Sequence, residues 1–277
     1  MSSFTATPQF PREISPGVFW LGACATNAER KTPYHVHLSQ FLIVGSEKTL
    51  LIDTGMLGSW PTIRDQIETA LAGRKLDYVA PTHTEVPHCA NLPNLMNHFE
   101  GSQVIGDMRD YHIYYPQLGE RQINVSPGDE VDLGGGKRII FLDALIKDLA
   151  NTLWMYEPDS QILFVCDGFS FSHAVAGEVI EPEDDPIHIP GECAMTTSEI
   201  ASGVDVERAS FILQRALYWS RFVDEKKLFE RVEAMLQQYP TKLIAPSHGN
   251  VIDDINIVYP VIRNAHALAN REAFAGN

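Results

Sequence analysis

Residues 76–88 read LDYVAPTHTEVPH. Leu76, Val79 and Ala80 make a short apolar run that predicts a buried strand, and Pro81-Thr82 leads it into a loop. In that loop His83 and Glu85 are two residues apart, so an extended backbone points both to one side. His88 follows a bend fixed by Pro87 and reaches a second point a few residues on. Imidazole and carboxylate donors in this spacing, delivered directly after a strand, form a metal-ligand pattern. Any one of them alone would pass as a polar loop residue.

The chain on either side repeats the arrangement. Upstream, FLIVGSEKTLLIDTG (residues 41–55) places two apolar runs around a four-residue polar break, a hairpin signal. Its second strand ends at Asp53. Residues 60–71 carry Ile63, Ile67, Ala70 and Leu71 at helical spacing. Downstream, residues 153–156 and 162–166 form a second hairpin that ends at Asp167. The run 242–245 is a strand entering Pro246-Ser247-His248-Gly249. Residues 17–22, 102–106 and 139–142 are further strand candidates, and 209–238 reads as helical throughout. Strands and helices alternating with hairpins predict a layered α/β fold, taken as one domain over 1–277.

Composition narrows the function classes. Of 277 residues, 44% are hydrophobic and 21% charged, ordinary for a globular protein. The net charge of −15 repels phosphate backbones and anionic lipid, so nucleic acid and membrane surfaces are excluded as expected partners. No apolar run is long enough for a transmembrane helix, and no signal peptide is visible, so a cytoplasmic protein is expected. Cys24, Cys89, Cys166 and Cys193 form no Cys-x-x-Cys and read as thiols rather than disulfides.

The segments FLIVGSEKTLLIDTG, THTEVPH, LFVCDGFSFSH and LIAPSHG together resemble the metallo-β-lactamase fold, an αββα sandwich. Within it they are most similar to the di-iron domain of flavodiiron proteins. The resemblance runs from Glu13 to Ile252. Hydrolases of the fold carry His-x-His-x-Asp-His, whereas the flavodiiron domain carries His-x-Glu-x-Asp-His, and Glu85 stands at the glutamate position. The resemblance implies that His83 and Glu85 bind a first metal, His88 and His248 a second, and that Asp167 bridges both. The chain departs from the pattern twice. Pro87 stands where the family has an aspartate ligand, and Asp148 falls where it has a histidine, a carboxylate substitution also found in a di-iron β-hydroxylase of this fold. Asp148 is therefore the sixth expected ligand.

Two iron ions are the cofactor this implies, with zinc or manganese as alternatives, since ligation without thiolate suits all three. The expected activity is binding or reducing O₂, with NO as a second substrate, or oxidising a small molecule with O₂. Glu85 and Asp167 are the expected catalytic residues. The alternative is a hydrolase in which a metal-bound hydroxide attacks an ester, lactone or thioester. Only 25 residues follow Ile252 (277 − 252), too few for the flavodoxin-like domain of the redox family. No FMN domain is expected in this chain, and electrons would come from a separate donor. A homodimer is expected by resemblance. Asp53 is expected to hydrogen-bond the backbone of the metal loops and so orient ligands. His35 and His37, which alternate on one strand, and His173 are candidates for the pocket around the metals. The acidic stretch 177–191 reads as a long loop or lid.

Overall fold

The apolar positions of the strands alternate between two destinations, and that alternation builds the layers. The computed structural model describes residues 9–27, 34–172, 192–200 and 203–275. The chain opens with β1 (Arg12–Ser15), β2 (Val18–Asn27), β3 (Tyr34–Val44) and β4 (Thr49–Ile52), then helix α1 (Trp60–Leu71) and β5 (Tyr78–Ala80). A single turn of helix, α2 (Val86–Cys89), leads to α3 (Leu92–His98), β6 (Gln103–Gly106), α4 (Tyr111–Tyr114) and β7 (Gln122–Asn124). These strands form a seven-stranded sheet in sequence order. Antiparallel pairing holds as far as β4 and parallel pairing beyond it.

The second half supplies β8 (Glu130–Gly134), β9 (Lys137–Asp143), β10 (Leu153–Glu157), β11 (Ile162–Cys166), α5 (Val206–Arg215), α6 (Glu225–Gln238), β12 (Leu243–Pro246) and α7 (Ile255–Ala275). Its five strands lie in the order β12-β11-β10-β9-β8. Phe41, Ile43, Leu50 and Ile52 of the first sheet pack against Phe141, Leu153, Met155, Ile162 and Phe164 of the second. Their neighbours in sequence face outward, because successive side chains on a strand take opposite faces. Leu42 and Leu51 pack under α1 and α3. Trp154, Leu163 and Val165 pack under α5, α6 and α7. The result is the four-layer αββα sandwich that the family resemblance implied, and the layered α/β fold that the hairpins predicted.

Two boundaries differ from the sequence reading. The run 209–238 is not one helix: α5 ends at Arg215, a 3-10 segment spans Tyr218–Phe222, and α6 begins at Glu225. Asp224 caps α6 by accepting from the Lys227 backbone N–H, a stop and restart that apolar spacing alone does not reveal. The residues after Ile252, given no element from the sequence, form the long helix α7. Among the described residues no helix is long and apolar enough to cross a membrane.

The two sheets also meet through backbone at one end. Ser39 N–H donates to Ser247 O at 2.8 Å and Gly249 N–H donates to His37 O at 3.1 Å. Strand β3 therefore holds the loop after β12, the loop that carries His248. Residues separated by some 200 positions are fixed at one edge by these bonds.

Candidate metal centre

Four strand ends deliver the chemistry. Strand β4 ends one residue before Asp53, β5 runs into His83, β11 into Asp167, and β12 into His248. Asp53 and Cys166 both hold left-handed backbone, with φ of 61° and 51°. Non-glycine residues in that region cost on the order of 1 kcal/mol or more and persist where the surroundings over-determine them. Asp53 directly follows β4, and Cys166 is the last residue of β11, directly before Asp167.

His83, Glu85, Asp148 and Asp167 place one donor atom each within 4.8 Å of one another. His83 Nε2 stands 3.6 Å from Glu85 Oε2, 3.6 Å from Asp148 Oδ1 and 3.6 Å from Asp167 Oδ2. The other oxygen of Asp167 faces a second group: Oδ1 is 3.3 Å from His88 Nε2 and 2.9 Å from His248 Nε2. Glu85 Oε2 lies between the two histidines of its loop, 3.8 Å from His88 Nε2. Asp167 thus presents one oxygen to each of two adjoining donor groups.

The fit to cations rests on what these atoms lack. The Nε2 atoms of His83 and His88 are buried and have no hydrogen-bond partner among the described residues. An unsatisfied buried polar atom costs about 1–3 kcal/mol. Separations of 3.6–3.8 Å are too long for hydrogen bonds, yet they match two ligands that each lie about 2.1 Å from a shared ion. Three carboxylates also crowd one point. Burial pushes the Asp148 carboxyl up, His83 pulls it down, and the charges of Asp167 and Glu85 push it up again. Burial opposes ionisation of Asp167 as well, but the charge of His88 and the nearby His248 hold it well below the usual carboxylate range. A cation relieves this crowding.

Supporting contacts fix the rings. Asp53 Oδ2 lies 2.8 Å from His88 Nδ1, and Ser247 Oγ donates to the same oxygen at 2.7 Å. Asp53 Oδ1 accepts from the backbone N–H and hydroxyl of Thr82, both at 2.8 Å. With Nδ1 engaged, His88 turns Nε2 toward Asp167, the arrangement that sets the tautomer and orientation of a metal-binding imidazole. His83 Nδ1 contacts Cys166 Sγ at 3.1 Å. Cys166 and Thr82 carry no motif of their own, and the sequence reading missed both. Their one signal is adjacency, Thr82 to His83 and Cys166 to Asp167.

The remaining candidates divide. The His37 ring does not join the group around Asp167. It lies on Phe10, with centroids 4.6 Å apart, and its Nδ1 is 3.6 Å from Cys24 Sγ. The His35 side chain, His173 and the stretch 177–191 lie outside the described residues. Pro87 sits within the single turn α2, one residue before His88, and brings no donor. The sequence matches the profile described as ODP family beta lactamase over residues 36–249. The chain belongs to that family. The curated relatives of this ODP-family chain include a coenzyme F420H(2) oxidase of Methanocaldococcus jannaschii, 26% identical over 253 residues, with 87% of this chain and 57% of the relative covered. The chain thus spans little more than half the length of that relative. Among solved structures, rubredoxin oxygen:oxidoreductase from Desulfovibrio gigas superposes with a TM-score of 0.71 at 15% identity, covering 93% of this chain and 61% of its own. The flavodiiron protein from Giardia intestinalis superposes with a TM-score of 0.68 at 17% identity, covering 95% of this chain and 60% of its own. The fold is therefore that of the metallo-β-lactamase-like domain of flavodiiron proteins.

Proposed function

We propose that this chain binds two iron ions and, with both ferrous, reacts with O₂. The observation that carries the reading is the double donor group split by Asp167, with one carboxylate oxygen toward His83, Glu85 and Asp148 and the other toward His88 and His248. In this reading His83, Glu85 and Asp148 would hold the first ion and His88 and His248 the second, with one oxygen of Asp167 offered to each group. Bound there, a ferrous pair supplies electrons and open coordination positions, which no side chain of the cluster can offer. The iron assignment is supported by the likeness to the flavodiiron protein of Giardia, and the choice of O₂ by the likeness to the rubredoxin oxygen:oxidoreductase of D. gigas. Carboxylates favour iron in its higher oxidation states by placing negative charge against it, and Glu85, Asp148 and Asp167 supply three.

The protein's own groups do the positioning. Asp53 holds the His88 ring by Nδ1, and Cys166 holds His83. Pro87 withholds a donor from the second group, which leaves that side the more open of the two. Repeated turnover also requires an electron donor. Neither the donor set nor the relatives favour the hydrolase alternative.

Metal content of protein purified without oxygen tests the proposal, followed by absorbance on admitting air, with NO as a second gas. About two irons per chain, bleached by O₂ in the wild type and not in Glu85→Ala, is the expected result. Zinc in place of iron, or a Glu85→Ala protein that reacts at the native rate, overturns it.

A further inference from the structure

We infer that Cys24 and Cys193 form a redox-active thiol pair, separate from the cluster around Asp167, which hydrogen peroxide closes to a disulfide with His37 as proton acceptor. Cys24 on β2 lies directly across from His37 on β3 in the strand register. Cys193 arrives from 169 positions away, on the 3-10 turn Glu192–Ala194. The Cys24 thiol donates to the Cys193 sulfur at 3.1 Å, and His37 Nδ1 stands 3.6 Å from the Cys24 sulfur. Two thiolates on one tetrahedral zinc, each bonded at about 2.3 Å, stand about 3.8 Å apart. The observed separation is shorter than that, toward the roughly 2.05 Å of a disulfide bond.

The surroundings give the two sulfurs different parts. Cys24 is exposed and Cys193 buried, so an oxidant from solvent meets Cys24 first. The His37 ring is clamped between Phe10 and the edge of Trp20, which fixes Nδ1 beside the Cys24 sulfur. Asn250 Nδ2 donates to the carbonyls of Glu192 and Met195 at 2.8 and 2.7 Å, so the turn that presents Cys193 is held in place. Thiolate is the reacting form. His37 accepts the Cys24 proton, and the sulfur attacks one peroxide oxygen; an S–O bond forms, the O–O bond breaks, and the leaving hydroxide takes a proton to become water. Cys193 then attacks the Cys24 sulfenic acid: the S–S bond forms, the S–O bond breaks, and a second water leaves. One peroxide is reduced and two thiols are oxidised.

The test treats reduced full-length protein with one equivalent of hydrogen peroxide, followed by alkylation and peptide mapping without reductant. A linked Cys24–Cys193 peptide, with Cys89 and Cys166 still alkylated, is the expected product. Cys193→Ser should stop at a sulfenic acid that dimedone traps on Cys24, and Cys24→Ser should leave Cys193 unmodified. His37→Asn should slow closure about tenfold. Full alkylation of both cysteines after peroxide overturns the inference, and so does one tightly bound zinc per chain that is lost in both cysteine variants. Neither result touches the iron count, so the two proposals fail separately.

Discussion

Asp53 and His88 are joined at 2.8 Å, carboxylate oxygen to Nδ1, across 35 positions of sequence. The aspartate takes a left-handed backbone to make this contact, and it also accepts from Thr82 and Ser247. Burial opposes the charge on Asp53, yet the His88 charge and these donors hold its carboxyl below the usual carboxylate range. One buried anion thus sets which nitrogen of His88 faces Asp167.

Asp53→Asn keeps the size and removes the charge. Partners of this kind, outside the ligand set itself, typically change metal affinity 10–100-fold. The second ion should weaken by that factor while the first is retained. Metal content after dialysis against graded chelator checks this, with the expected stoichiometry falling from two to one per chain.

Asp148 is the donor with the least motif around it, and its place 3.6 Å from His83 Nε2 gives it a measurable role. Asp148→Asn should weaken the first ion at least about tenfold by removing one negative charge from its donor group. The second ion, on the far side of Asp167, should bind as before. Isothermal titration with ferrous ion under nitrogen separates the two sites.

Gly22 allows no side chain. A Cβ there would stand 2.2 Å from His37 Nε2 and 2.4 Å from Leu38 O. Gly22→Ala should destabilise the fold by about 3 kcal/mol, at the upper end for overpacking. That corresponds to a fall in Tm of roughly 6–12 °C for a chain of this size. Thermal unfolding by circular dichroism measures it.

His266 of α7 is buried against the edge of Phe229, and burial alone lowers its pKa to about 4. The unfolded chain takes up the proton near pH 6.5 and the folded chain does not, so stability falls as pH drops from 6.5 toward 4. The loss at pH 4 should be about 3 kcal/mol at 1.36 kcal/mol per tenfold change in proton affinity. His266→Leu should remove that part of the slope. Urea unfolding of both proteins at pH 7, 5.5 and 4.5 checks the difference.

The sequence by itself determined where the strands run and singled out most of the candidate donors. Apolar runs at residues 41–44, 50–52, 153–156 and 162–165, each pair broken by a polar turn, are local strand signals, legible without knowing what the strands touch. Donors at strand ends are equally local, so His83, Glu85, His88, Asp167 and His248 stood out as residues, and Asp53 with them. Tertiary structure decided what depends on strands crossing the sandwich. No period or motif brings Asp148 to His83; its loop lies between β9 and β10, which pair within the second sheet, while His83 follows a strand of the first. The same holds for Cys166 against His83, and for Cys24, which strand register sets across from His37 and a distant turn brings to Cys193. Chain direction fixes which residues neighbour one another along a strand; only the packed sheets, and the left-handed turns at Asp53 and Cys166, fix which of them face one another across space.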